Sequence, residues 1–267
     1  MLIIYLNISK YINIMSKSSS SKNTKNNKIK ANKINKRLLK DVADVLKNPL
    51  ISNGIYYIHD ESNAYKGYAM IIGPSDTLYR YGYYFFDFTF PQDYPFSPPK
   101  VIYLTNDGTT RFNPNLYRNG KVCLSILNTW KGEQWTSCQS LRSVLLTLVS
   151  LFHNKPLLNE PGVSESNKNF KIYNKIIEHQ NIKTAVLKVI KQNLLPEPFW
   201  SFWIFIKKTI LDNKNEIIEY LTKLQEKYKD KKKEDKILYC SMYNMNCTID
   251  YANLLIDFNN IIKFIQN

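Results

Sequence analysis

The chain has little that could hold a metal or staple a fold. Its 267 residues contain only four cysteines and three histidines. Cys123, Cys138, Cys240 and Cys247 form no Cys-x-x-Cys pair, and His59, His153 and His179 are scattered, so no zinc-ligand spacing exists. Nothing points to a secretory context, and reduced, intracellular thiols are expected. Long apolar runs are missing as well. Met1–Met15 is interrupted by Asn7, Ser9, Lys10 and Asn13, which makes it too short and too polar to span a bilayer. It lacks a basic leader and a small-residue cleavage site, so no signal peptide is expected, and Met15 is a candidate alternative start. Acidic residues are absent from the first 40 positions. Ten of the 37 Lys/Arg and none of the 22 Asp/Glu fall there, about two thirds of the net +15. Such a stretch could meet nucleic acid, an acidic protein or an anionic membrane. Ser16–Lys33 is Ser/Asn/Lys low-complexity sequence, however, and residues 1–33 are expected to be a disordered basic tail. No groove-reading motif accompanies the charge, which argues against a specific nucleic-acid partner.

What is present falls into ordered segments. Leu38, Leu39, Val42, Val45 and Leu46 recur at helical spacing over Asn35–Lys47, and Asn48-Pro49 ends that helix. Lys36, Arg37 and Lys40 crowd its first turns, where cations oppose the helix dipole at up to ~1 kcal/mol each. Either solvent screens them or they form a docking face for an acidic partner. Four β-rich runs follow, Gly54–His59, Lys66–Ile72, Tyr83–Phe90 and Lys100–Leu104, and their short connections predict an antiparallel meander. Pro91–Pro99 carries four prolines and reads as a rigid extended loop. Apolar residues cover most of the circumference of Ser140–His153, which predicts a buried helix. Lys168–Gln192 reads as another helix. Pro196-Glu-Pro198 marks a boundary, beyond which Phe199–Tyr228 and Ile249–Ile265 read as helices and Lys229–Lys236 as a solvated turn. Phe199, Trp200, Phe202, Trp203 and Phe205 form an aromatic cluster, suited first to core packing and second to a partner patch. The expected class is α+β, with a core over 34–195 and a helical extension over 196–267.

Chemistry concentrates at Arg111–Leu127. Asn113-Pro-Asn115 precedes an Asn119-Gly120 turn, and Cys123 follows it, eight positions after Asn115. Pro114 pushes Asn113 towards an extended conformation, and Asn-Gly favours a tight turn. The segment can therefore hold an amide beside a sulfur, a pairing that suits acyl chemistry through a thioester. The competing reading is a small buried hydrophobe, since Val122, Leu124, Ile126 and Leu127 suit a buried strand. A cysteine hydrolase would need His153 or His179 as a base, and neither has a recognisable partner motif.

The succession of helix, meander, proline-rich loop, Asn-bearing loop, cysteine and helices resembles the ubiquitin-conjugating enzymes. Arg37-Leu-Leu-Lys-Asp-Val42, Phe90-Pro-Gln-Asp-Tyr-Pro-Phe-Ser-Pro-Pro-Lys100, Asn113-Pro-Asn115 and Cys123-Leu-Ser-Ile-Leu127 carry the resemblance across residues 35–165. Thr129-Trp130, the Lys131–Gln134 insertion and Asn159-Glu-Pro-Gly162 are similar to a large subtype of that family. The resemblance implies the ubiquitin-conjugating (UBC) fold and a reaction. Cys123 would take ubiquitin, or a ubiquitin-like modifier, from an activating enzyme as a thioester. The acyl group would then pass to a lysine amine of a substrate protein, usually with a ligase. No cofactor is implied, because the activating enzyme consumes the ATP. Asn115 would stabilise the loop or the oxyanion, and Asn159 and Glu160 would lie in the lysine environment. Lys36, Arg37 and Lys40 match the face that meets the activating enzyme; Phe96, Ser137 and Cys138 match the ligase-facing positions. The large subtype is associated with an alternative activating enzyme and a second modifier. Three departures stand out: Asn113 replaces the family's common His, Ser125 replaces a frequent acid, and Thr136-Ser137-Cys138 replaces Ser-Pro-Ala. A non-catalytic interaction module is a further alternative, although such variants usually lack the cysteine. The location implied is the cytoplasm or nucleus.

Overall fold

The computed structural model describes residues 35–191 and 197–266. The expected basic tail lies outside the described residues, as does Pro196 of the boundary motif. The first helix among the described residues, α1 (Lys36–Lys47), starts where the sequence predicts it. Asn35 caps it, its Oδ1 accepting from the backbone N–H groups of Arg37 and Leu38 at 2.9 and 3.2 Å. Its far end is closed by a residue distant in sequence: Arg142 donates to the carbonyls of Asp44 and Asn48 at 3.2 and 2.8 Å.

Four strands follow, β1 (Ile55–His59), β2 (Lys66–Ile72), β3 (Tyr83–Thr89) and β4 (Lys100–Tyr103), in an antiparallel sheet of order β1-β2-β3-β4. The expected meander is present, with each strand end within a residue of its sequence reading. The register pairs Met70 with Phe85, Ala69 with Phe86 and Gly67 with Phe88. Tyr68 to Ile71 and Tyr83 to Phe86 are all buried. A sheet with one wet face would alternate; consecutive burial means that both faces are covered.

One cover is the core proper. Tyr84 stacks on Phe152 at 4.4 Å and meets Phe112 edge-on at 6.1 Å. The second long helix of the core, α2 (Leu141–Val149), is shorter than its apolar run suggested. It buries Leu141, Val144, Leu145 and Leu148, whereas Leu146 is exposed. The prediction of burial around its circumference is therefore corrected: one side packs and the other meets solvent. A third helix, α3 (Phe170–Gln180), continues as a wider π-helical winding over Asn181–Lys188. Its buried Asn181 accepts from the Tyr84 hydroxyl at 2.6 Å and donates to the Arg80 carbonyl at 2.8 Å. Gly82 permits this approach, since a Cβ there would lie 2.1 Å from Asn181 Oδ1.

The other cover comes from the C-terminal extension. A 3-10 turn (Glu197–Phe202) leads into α4 (Trp203–Lys229). Phe199 meets Tyr68 and Phe85 edge-on, both at 5.3 Å, and Phe202 and Ile206 are fully buried. Of the aromatic cluster, Phe199 and Phe202 belong to the core, whereas Trp200 is 59 % exposed. The extension is not wholly helical. Between α4 and the last helix, α5 (Tyr251–Gln266), lies a hairpin of β5 (Ile237–Cys240) and β6 (Met245–Thr248). The expectation of a helical extension is corrected on that point. Two four-residue strands give too short a period-2 pattern to read.

Candidate active site

The site is built on the irregular stretch between β4 and α2. Arg111 shapes its start: the guanidinium donates to the carbonyls of Asn113 and Pro114 at 3.1 and 2.6 Å and lies 3.2 Å from the centroid of the Tyr117 ring. Tyr79 and Tyr173 hydroxyls each donate to this backbone, at the carbonyls of Phe112 and Arg111, both at 2.7 Å. The Asn119-Gly120 turn forms, with the Gly120 N–H donating to the Tyr117 carbonyl at 3.0 Å. Of the two turn residues, Gly120 takes the positive φ, at 87°.

Asn115 and Cys123 face each other across this turn. The Cys123 N–H donates to the Asn115 carbonyl at 2.9 Å, and Asn115 Nδ2 donates to the Cys123 carbonyl at 2.7 Å. The Asn115 side chain thus holds the backbone of the thiol residue, while its buried Oδ1 has no hydrogen-bond partner among the described residues. Cys123 itself is 2 % exposed. Beyond it, the Thr129 hydroxyl accepts from the Leu124 N–H at 2.9 Å and donates to the Val122 carbonyl at 2.8 Å. The Lys131–Gln134 insertion folds over Ser125. Gly132, at φ 126°, would place a Cβ 3.2 Å from the Ser125 Cβ.

Asn113 is the hub. It is fully buried, donates to the Leu151 carbonyl at 2.9 Å and accepts from the Asn115 N–H at 2.9 Å. Asn159 Nδ2 also reaches Asn113 Oδ1, at 3.3 Å, and Asn159 Oδ1 contacts His153 Nε2 at 3.1 Å. A polar chain therefore runs from His153 through Asn159, Asn113 and Asn115 to the backbone of Cys123. Glu160, next to Asn159 at the end of the Pro156–Asn159 turn, accepts instead from the Tyr243 hydroxyl at 2.5 Å. Tyr243 lies on the C-terminal hairpin and had no signal in the sequence.

Neither histidine is bonded to Cys123. His179 is paired with a different thiol, Cys247 Sγ at 3.4 Å, and its Nε2 accepts from the Asp250 N–H at 3.1 Å. His153 Nδ1 accepts from the Lys155 N–H at 3.2 Å. Among the described residues no group of three or more His, Cys, Asp or Glu could hold a metal ion.

The outer positions sort by exposure. Lys36 and Lys40 are exposed on α1. Arg37 is half-buried and already engaged: it donates to Asp41 Oδ1 at 2.9 Å and to the carbonyls of Ser137 and Gln139 at 3.0 and 2.8 Å. Asp41 in turn accepts from the Tyr94 hydroxyl at 2.6 Å, tying α1 to the proline-rich loop. That loop presents Phe96 at 80 % exposure, and Ser137 and Cys138 are exposed beside the Arg37 contacts.

An N-terminal helix, a four-stranded meander, a proline-rich loop and a cysteine held by an asparagine amide before a central helix together define the UBC fold. The family model for "Ubiquitin-conjugating enzyme" matches residues 37–186, and the chain belongs to that family. It is 41% identical over 169 residues to ubiquitin-conjugating enzyme E2 Z of Danio rerio, covering 62% of this chain and 51% of that protein. The Homo sapiens E2 Z is 42% identical over 166 residues, 61% of this chain and 46% of that one. A human dual E2 ubiquitin-conjugating enzyme/E3 ubiquitin-protein ligase, BIRC6, is 41% identical over 156 residues, 54% of this chain but only 3% of its own length. The chain spans about half the length of the E2 Z relatives it matches. Similarity to the large subtype agrees with the Thr129–Trp135 and Asn159–Gly162 motifs.

Proposed function

We propose that this chain accepts ubiquitin, or a ubiquitin-like modifier, from an activating enzyme as a thioester on Cys123 and transfers it to lysine amines of substrate proteins, usually with a ligase. The observation that carries the reading is the paired bond between Asn115 and Cys123, which fixes a thiol in a rigid loop with no histidine bonded to it. A thioester carrier needs no such base, because the acyl group arrives activated. In the transfer step the lysine nitrogen attacks the thioester carbonyl carbon, the N–C bond forms and the C–S bond breaks. Cys123 leaves as thiolate, and the proton lost by the amine passes to Glu160 or to solvent. Asn115 holds the Cys123 backbone and provides a donor close to the developing oxyanion. Asn159 supports that loop through Asn113.

Lys36 and Lys40 are the exposed cations available to an acidic activating enzyme, with Arg37 bracing the helix on which they stand. Phe96, Ser137 and Cys138 form the ligase-facing surface. No cofactor is required of the chain, since ATP is consumed by the activating enzyme, and the expected setting is the cytoplasm or nucleus. No helix of the described residues is long and apolar enough to cross a membrane.

Incubation with activating enzyme, ATP and modifier tests the reading. The native protein should form a reducible adduct. Cys123→Ser should keep the fold and give either no adduct or a reductant-resistant oxyester; a normal thioester on that variant refutes the assignment. Running the assay with each activating enzyme and modifier identifies the cognate pair.

A further inference from the structure

The C-terminal hairpin reaches into the site from outside the region matched by the family model. Its turn, Ser241–Asn244, and the adjoining Met245 touch both limbs of the active-site surround. On one limb, Arg118 Nη2 donates to the Tyr243 carbonyl at 2.5 Å, and the Arg111 N–H donates to Met245 Sδ at 3.1 Å. On the other, the Tyr243 hydroxyl donates to Glu160 Oε2 at 2.5 Å. The Tyr243 ring lies between the Tyr173 ring, 5.8 Å away, and the Arg111 guanidinium, 5.4 Å from its centroid. Buried Asn169 fixes the start of the turn, its Oδ1 accepting from the Ser241 N–H and hydroxyl at 3.0 and 3.1 Å. Burial and the neighbouring Glu160 carboxylate both push the Tyr243 phenol pKa upward, so it stays a neutral donor. Glu160 is half-buried and, among the described residues, nothing hydrogen-bonds its Oε1.

We propose that Tyr243 is a positioning residue for acyl transfer, holding the Glu160 carboxylate by one oxygen so that the other faces the incoming lysine amine. This rests on the reading of Glu160 as the acid of the lysine environment. A free glutamate at a turn end samples several rotamers; one held by a phenol packed between two fixed groups does not. Pre-orientation of this kind acts on the reacting amine and leaves the thioester itself unchanged.

The test uses the full chain and thioester isolated after loading, so that loading does not enter the rates. Single-turnover discharge is followed with free lysine and with hydroxylamine, a weakly basic amine that is neutral without help. Tyr243→Phe keeps the ring between Tyr173 and Arg111 and removes only the hydroxyl. Discharge to lysine should fall about tenfold, as expected for losing one hydrogen bond to a charged group, while discharge to hydroxylamine is unchanged. In the Glu160→Ala background, Tyr243→Phe should have no further effect on lysine. If Glu160→Ala slows lysine discharge and Tyr243→Phe alone does not, the positioning role is wrong and the role of Glu160 stands. If Glu160→Ala has no effect, both fall. Equal slowing with both amines indicates a distorted cysteine loop and overturns the proposal.

Discussion

Asn113 is where the departure from the family's common His can be turned into energy. Its side chain is fully buried, donates to the Leu151 carbonyl at 2.9 Å and, at 3.5 Å, to the Tyr79 hydroxyl, and makes two acceptances, the Asn115 N–H at 2.9 Å and the longer contact from Asn159 at 3.3 Å. Asn113→Ala leaves the Asn115 N–H without its partner and the Leu151 carbonyl with only the His153 N–H, at 3.2 Å. At ~1–3 kcal/mol for the buried N–H left unsatisfied and ~0.5–1.5 kcal/mol for the hydrogen bond lost at Leu151, the loss should be about 2–4 kcal/mol. Asn113→Asp keeps an acceptor for Asn115 but turns an ionised oxygen towards the Leu151 carbonyl, in a site that excludes water. It should cost more than the alanine variant. Asn113→His is the informative member. A neutral imidazole has one donor and one acceptor, so it can satisfy Leu151 and Asn115 together. Its larger volume carries an overpacking cost of at most ~1–3 kcal/mol. The expected order of stability is Asn, then His, then Ala, then Asp. Urea denaturation at pH 8, where the imidazole is neutral, measures it. Equal losses for His and Ala would refute the hub, because only the hydrogen-bond pattern separates them in its favour. Discharge of the Cys123 thioester should follow the same order, since Asn113 holds the backbone that presents Asn115.

Two further outcomes follow from the packing and from buried titration. Phe199→Ala removes the ring that meets Tyr68 and Phe85 and should cost about 3–5 kcal/mol; one shared unfolding transition is expected, and early melting confined to α4, α5 and the hairpin would show that the extension is not part of the core. Burial, with the nearby Lys183 charge, lowers the His179 pKa from 6.5 to about 4, so the folded chain favours the neutral ring. That contribution is complete above pH 6.5 and is lost as pH falls towards 4, by up to about 3 kcal/mol. Protonation would occupy the nitrogen that accepts from the Asp250 N–H. His179→Gln should flatten the acid limb of stability between pH 6.5 and 4, and an unchanged limb would exclude this imidazole as its source.

The sheet and the cysteine loop were legible because their determinants are local. Asn-Gly, Asn-Pro-Asn and the four prolines of Pro91–Pro99 restrict backbone within a few residues, and β-rich runs bounded by such punctuation give strand ends directly. The reading stopped where contacts became long-range. Arg37 reads as an exposed cation from its place on α1, but its guanidinium reaches Ser137 and Gln139, 100 and 102 positions away. Leu146 reads as buried by type and is exposed by the side of the helix it occupies. Covering of the outer sheet face was implicit in Tyr83-Tyr-Phe-Phe86, four large residues without alternation, yet nothing local says what does the covering. Tyr243 marks the limit most sharply. It is one of 19 tyrosines, it stands in a turn whose flanking strands are four residues each, and its partner Glu160 is 83 positions upstream. Cys123, Asn115 and Asn113 lie within 11 residues of one another, so backbone chemistry alone can assemble them. The proposed acceptor side draws on Asn159, Glu160 and the hairpin, which only the packed fold brings to that loop. The proposed carrier half of the site is therefore written locally, and the half proposed to meet the lysine is written in tertiary contacts.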